Sequence, residues 1–197
     1  MNMTLIGSFL LLAIPAFFTP GPNNLMMMTS SAKYGFRRTV PHAAGVVFGF
    51  PLMVFIVSLG LGEVFTAFPL AKTVFKYIAA AYLLWMAWHL LGLRIGEAEA
   101  RERPLRPHES ALFQWINPKG WAMATSFAAA FVASGPERFG SIVWLSLGCL
   151  AIVPLSSVTW MVFGERLQSF LRKTGGERYL GGILALLMLV AVILFFI

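Results

Sequence analysis

Two short polar motifs interrupt otherwise apolar segments, and their residue types suit the binding of a small charged solute. The first reads Thr19-Pro20-Gly21-Pro22-Asn23-Asn24 and the second reads Asn117-Pro118-Lys119. Proline and glycine loosen a helix and free backbone carbonyls and amides, which a bilayer tolerates only inside protein or beside a wet cavity. The asparagine amides would be costly against lipid. We therefore predict that all nine residues belong to a substrate-binding site. A simple kink, with its asparagines capping the next helix segment, is the alternative.

Lys119 is the one ionisable residue well inside an apolar segment, which makes it a candidate for function. A single buried cation suits an anionic group such as an α-carboxylate. The chain contains no aspartate, and no glutamate lies in the middle of an apolar segment. A site for a dication or a diamino acid would need such a carboxylate. The alternative for Lys119 is a long side chain that reaches back to the membrane surface.

The composition identifies an integral membrane protein. Of the 197 residues, 58% are hydrophobic and 12% are charged, whereas soluble domains average about 25% charged residues. The mean hydropathy is +0.78. A soluble enzyme is excluded, and the net charge of +7 lies in loops rather than in a nucleic-acid-binding surface. The single cysteine, Cys149, excludes an internal disulfide and a thiolate cluster. We predict no metal, no cofactor and no nucleic-acid partner.

Six segments are long and apolar enough to span a bilayer, which needs about 20 residues. They form one transmembrane domain, residues 1–197, of all-α class. The predicted spans are Leu5–Met28, Ala43–Gly62, Leu70–Leu93, Ala111–Ala133, Phe139–Phe163 and Tyr179–Ile197.

The distribution of basic residues predicts the orientation. Loops after spans one, three and five carry eleven Lys and Arg residues. The loops after spans two and four, counted together with the first two turns of the spans that follow them, carry three. The first set is Lys33, Arg37, Arg38, Arg94, Arg101, Arg103, Arg106, Arg166, Arg172, Lys173 and Arg178; the second is Lys72, Lys76 and Arg138. Cytoplasmic loops carry the excess of positive charge. Both termini are therefore predicted to lie outside, and the linker 94–109 in the cytoplasm.

The six spans divide into two halves of three, residues 1–93 and 110–197, and an odd number of spans inverts the second half. Pro20 and Pro118 lie about half the chain length apart. Matching breaks in two inverted halves are typical of the binding site of an inverted-repeat transporter. Two unrelated proline kinks remain the alternative. Gly45 and Gly49 form a GxxxG pair in span two, which predicts close helix packing.

Four motifs together resemble those of the LysE/RhtB family of amino-acid exporters, in order and spacing along nearly the whole chain. They are Thr19-Pro-Gly-Pro-Asn23, Tyr34-Gly35-Phe36-Arg37, Ala79-Ala-Ala-Tyr82-Leu83 with Trp85, and Phe113-x-x-x-Asn117-Pro-Lys119. The resemblance implies a bacterial inner-membrane exporter with six helices as two inverted repeats, and with the two breaks facing each other. Asn23-Asn24 and Phe36-Arg37 are most similar to the branch that exports small neutral amino acids, including cysteine and O-acetylserine.

The sequence thus predicts an exporter of small neutral amino acids or close derivatives, working by alternating access. Its expected partners are the amino acid and the lipid bilayer, and the oligomeric state, a homo-oligomer included, stays open. Rival functions are export of basic amino acids, export of a divalent cation, a membrane enzyme and a structural subunit. Export of basic amino acids would call for a buried carboxylate, and export of a divalent cation for acidic or histidine clusters, and both are missing. A single cysteine excludes a thiol reductase, and nothing in the sequence points to an intramembrane hydrolase.

Overall fold

A computed structural model describes residues 3–61, 69–91 and 103–193, and every regular element in these ranges is helical. The eight α-helices are α1 (Met3–Phe18), α2 (Pro22–Tyr34), α3 (Phe36–Ile56), α4 (Pro69–Leu91), α5 (Pro107–Phe113), α6 (Pro118–Phe131), α7 (Arg138–Lys173) and α8 (Leu180–Ile193). Three features predicted from the sequence lie outside the described residues: positions 94–102 of the linker, the end of span two at Gly62, and both ends of the chain.

The first break separates α1 from α2, which meet at a bend of 50°. The amide of Thr19 donates to the carbonyl of Pro15 at 2.9 Å, which is the last bond of α1. Pro22 has no amide hydrogen and occupies the first turn of α2, where such a donor is not needed. The amide of Leu25 then donates to the carbonyl of Gly21 at 2.9 Å. The Pro-Gly-Pro sequence thus ends one helix and begins the next.

The second break divides the predicted fourth span into α5 and α6. A 3-10 turn, Gln114–Ile116, follows α5. Asn117 then adopts extended backbone and caps α6, its side chain accepting from the amide of Lys119 at 3.1 Å. Asparagine is a preferred residue at this position because its short side chain satisfies a free amide of the first turn. With Pro118 next in sequence, the start of α6 is determined locally.

Within the described ranges, two helices are long and apolar enough to cross a bilayer. They cover Phe36–Gly60 and Gly135–Lys173, and the bent pair α1 and α2 forms a third candidate. The all-α membrane class is therefore supported. The arrangement of six spans as inverted repeats stays a prediction.

Helix α7 is longer than the predicted span Phe139–Phe163. It continues to Lys173 and includes Arg166, Arg172 and Lys173, which the sequence pattern had assigned to a loop. The difference has a simple physical reason. Bilayer thickness limits the apolar part of a helix, whereas its hydrogen bonds continue into water wherever the residues are good helix formers.

Helices α2, α3 and α7 form the centre of the structure, and glycines allow their closest contacts. A Cβ at Gly164 of α7 would lie 2.1 Å from the carbonyl oxygen of Met28 in α2. Gly45 and Gly49 of α3 face α5 instead. A Cβ at Gly45 would lie 2.1 Å from the carbonyl oxygen of Pro107, and one at Gly49 would lie 2.8 Å from Cα of Ala111. Both glycines of the predicted GxxxG pair thus contact α5, the helix that precedes the second break.

An exposed ion pair holds the start of α5. Arg103 donates to both carboxylate oxygens of Glu109, at 2.7 and 2.6 Å, and the amide of Arg106 donates to Glu109 at 2.7 Å. These hydrogen bonds, Arg103 first, lower the pKa of Glu109 to about 2. The carboxylate therefore stays ionised at physiological pH and keeps its contacts with the first turn of α5.

Candidate functional site

The two breaks meet in the fold through the side chain of Lys119. Its ammonium donates to the carbonyl oxygen of Thr19 at 2.7 Å and lies 3.4 Å from the carbonyl oxygen of Pro20. Thr19 and Lys119 are 100 residues apart in sequence. The carbonyls are available because the Pro-Gly-Pro sequence ends α1 and leaves no helical amide to bond them. A cation from one motif is therefore held by backbone freed in the other.

A pair of amide side chains joins the same two breaks. Asn23 donates to the side-chain oxygen of Gln114 at 2.7 Å, and Gln114 donates in return to Asn23 at 3.3 Å. Gln114 is fully buried and also donates to the carbonyl of Ser110 at 2.8 Å. This reciprocal pair fixes α2 against the turn that precedes α6.

The frayed end of α1 is held by two further polar side chains. Asn24 donates to the carbonyls of Phe17 and Thr19, at 2.8 and 2.9 Å. Ser156 of α7 donates to the carbonyl of Phe17 at 2.7 Å. The hydroxyl of Thr19 bonds back to the carbonyl of Pro15. These polar side chains are thus paired within the protein, as a low-dielectric surrounding favours.

A small cavity opens beside this network, with a volume of about 40 Å³. Among the predicted residues, those that line it are Gly21, Asn23, Asn24, Asn117 and Lys119. Its remaining wall is mostly apolar and comes from α1, α2, α3, α6 and α7. The structure thus brings both predicted motifs to one cavity.

Four of the nine predicted residues contribute through the backbone. Thr19 and Pro20 supply carbonyls to Lys119, while Pro22 and Pro118 occupy the first turns of α2 and α6. Gly21 has a steric role as well. A Cβ there would lie 2.6 Å from Cδ and 3.1 Å from Nζ of Lys119, so glycine leaves the lysine room to reach the carbonyls.

Three polar residues of the site were not found by sequence reasoning: Gln114, Ser156 and Ser157. Gln114 lies three residues before Asn117, a spacing that places two helical side chains on one face. The amide of Gln114, which lies among apolar residues, could therefore have been assigned to the site from the sequence. The two serines offered none, because serine is common in membrane helices and often bonds its own backbone.

The site presents one cation, several amides and freed carbonyls within apolar walls. An ammonium in such surroundings can pair with a carboxylate through a charge-assisted hydrogen bond. Carbonyl oxygens provide the complementary acceptors for an ammonium. In the described part of the chain, no group of three or more His, Cys, Asp or Glu residues could hold a metal ion. The arrangement therefore fits an organic solute that carries both an anionic and a hydrogen-bond-donating group.

Helical composition, broken helices and a cavity at the breaks are features typical of a membrane transport protein. The profile of the LysE type translocator family matches residues 14–197, and the chain belongs to this family. It is 28% identical over 189 residues to the cysteine/O-acetylserine efflux protein of Escherichia coli strain K12, covering 95% of each chain. The protein of that name from Escherichia coli O139:H28 is 27% identical over 190 residues, covering 96% of each chain. No solved structure matches the chain.

Proposed function

We propose that this protein exports small neutral amino acids or close derivatives, such as cysteine, O-acetylserine or amino acids of the homoserine and threonine type, across the bacterial inner membrane. The observation that carries the proposal is the Lys119 ammonium, held at a cavity between the two helix breaks. The family and the named relatives support amino-acid export. The choice of neutral substrates rests on charge, because the described residues lining the cavity include no carboxylate.

The contacts of Lys119 suggest how a zwitterion binds. The ammonium of Lys119 rests on the carbonyls of Thr19 and Pro20. A substrate carboxylate would take Lys119 as its partner, and the substrate ammonium would take the carbonyls that Lys119 leaves. Lys119 then pairs with the carboxylate, and the carbonyls that it leaves receive the substrate ammonium as their donor. A solute with only one of the two charged groups would make only one of these contacts.

Alternating access would follow from the position of the site between the halves 1–93 and 110–197. Two interactions join the breaks: Lys119 with Thr19, and Asn23 with Gln114. When the substrate replaces the contact between Lys119 and Thr19, one of the two interactions that join the breaks is lost. In an inverted-repeat transporter, such a change allows one half to rock against the other around a fixed site.

The orientation is tested by cysteine labelling in a variant in which the buried Cys149 is replaced by alanine. His108 and Glu137 are exposed at the two predicted faces. We expect His108→Cys to resist a membrane-impermeant thiol reagent in intact cells and Glu137→Cys to react, because positive loops stay in the cytoplasm. Labelling after membrane disruption is the control for reactivity. The reverse pattern would contradict both the orientation and the predicted external termini.

The substrate class is tested by overexpression in bacteria challenged with toxic amino acids. We expect greater tolerance and faster release for small neutral compounds than for a lysine analogue or canavanine, because a second substrate cation would find no carboxylate in the cavity. Cells that carry the vector alone, and cells that express Lys119→Met, are the controls. Protection against basic compounds alone would favour the rival function in basic amino-acid export.

A further inference from the structure

Ser157 differs from several neighbouring hydroxyl residues. Ser146 and Thr159 of α7, and Thr174 directly after it, donate to the carbonyls four residues earlier, at 2.9, 2.8 and 3.0 Å. This bond is the ordinary way for a hydroxyl to be satisfied in an apolar helix. Ser157 is 1% exposed, yet its Oγ has no hydrogen-bond partner among the described residues. Its hydroxyl is therefore available to something that the chain itself does not provide.

Ser157 lines the same cavity as Lys119. The adjacent Ser156 lines it too, but its hydroxyl is used by the carbonyl of Phe17. The neighbouring walls from α3 and α7 are apolar at Phe50 and Val153. Ser157 thus contributes one unpaired hydroxyl to a cavity that the apolar side chains of Phe50 and Val153 also line. A buried polar group of this kind is costly unless a ligand pairs with it.

We propose that Ser157 is a specificity-determining residue that hydrogen-bonds a polar group on the β-carbon of the substrate. The inference rests on the proposed function, in which Lys119 and the freed carbonyls take the two charged groups of the amino acid. The side chain then faces the apolar wall, where Ser157 offers a donor and an acceptor. The preferred class becomes α-amino acids with a hydroxyl, thiol or ester oxygen at that carbon, in preference to purely aliphatic ones.

The test measures uptake of labelled L-serine and L-alanine by liposomes that contain the purified protein. The two substrates differ only by the β-hydroxyl. We expect the wild type to prefer serine and Ser157→Ala to lower serine transport roughly three- to tenfold, the range for one hydrogen bond, while alanine transport is unchanged. Ser146→Ala is the matched control, since it makes the same change in the same helix at a hydroxyl already bonded to Ile142.

Ser157→Ala should fold, because it removes a buried group that lacks a partner. Ser157→Cys provides a second variant, with a weaker donor of similar shape, and is expected to lie between wild type and Ala in its serine preference. Equal losses for serine and alanine would show that Ser157 contacts a charged group or supports the fold, and would overturn the proposal. Unchanged serine preference in both variants would overturn it as well.

These outcomes separate the inference from the function on which it rests. If liposomes with the wild-type protein transport both serine and alanine, and substitution of Ser157 leaves the ratio of the two rates unchanged, the inference is rejected. The proposed export of neutral amino acids would then still stand. Wild-type liposomes that transport neither serine, alanine nor cysteine reject the proposed function and the inference together.

Discussion

Replacement of Lys119 by methionine is expected to abolish export while the protein remains inserted in the membrane. Methionine keeps the length and apolar stem of lysine but removes the cation that rests on Thr19 and Pro20. If that cation binds the substrate carboxylate, its loss removes a charge-assisted hydrogen bond of about 1.5–3 kcal/mol. Substrate affinity should then fall roughly ten- to a hundredfold. The effect is measured in two ways: as export by cells with equal amounts of each variant in the membrane, and as binding of the amino acid to the purified protein.

Two companion variants interpret this result. Lys119→Arg should keep part of the activity, because a planar guanidinium makes different contacts from a compact ammonium. Lys173→Met removes the same charge at an exposed position in the last turn of α7, away from the cavity, and should export normally. Normal export by Lys119→Met would instead place the lysine at the lipid interface, as the alternative interpretation of the sequence holds.

Replacement of Gly164 by alanine is expected to destabilise the protein strongly. The new Cβ would lie 2.1 Å from the carbonyl oxygen of Met28, so α2 and α7 must separate. Overpacking of this kind costs about 1–3 kcal/mol. The thermal unfolding midpoint in detergent should fall by between about 2 and 12 °C, given roughly 2–4 °C per kcal/mol for a chain of this size. Because α2 carries Asn23 and Asn24, export should fall too.

Gly140 offers a matched control in the same helix. A Cβ there meets no other atom within 4 Å. Gly140→Ala should leave the unfolding midpoint unchanged or raise it slightly, since alanine is favoured over glycine in helices by roughly 0.5–1 kcal/mol. An unchanged midpoint for Gly164→Ala would show that the contact between α2 and α7 tolerates displacement, contrary to the close packing described above.

Much of the candidate site follows from local chemistry and was therefore predictable. Proline cannot donate a backbone hydrogen bond, and asparagine caps helices well, so both breaks could be located from the sequence alone. The structure places both motifs at one cavity. The fold was less predictable at helix ends. Helix α7 continues to Lys173 because helical hydrogen bonding does not stop where apolarity does.

The GxxxG pair shows where pattern reasoning stops. Gly45 and Gly49 indicate a close helix contact, but two glycines carry no information about the partner helix. The structure supplies that partner, since both lie against α5. Gln114 is a similar case. Its amide is visible in the sequence, whereas its reciprocal bonds to Asn23 depend on the approach of segments 91 residues apart.

The sequence by itself determined the membrane class, the two helix breaks and the single cation between apolar residues, because composition, proline chemistry and charge act over a few residues. Only the tertiary structure decided that Lys119 meets the carbonyls of Thr19 and Pro20, and that Ser157 keeps an unpaired hydroxyl in the same cavity. Such contacts depend on how helices pack in three dimensions. Packing sums many weak interactions between distant residues, and no local pattern in the chain records that sum.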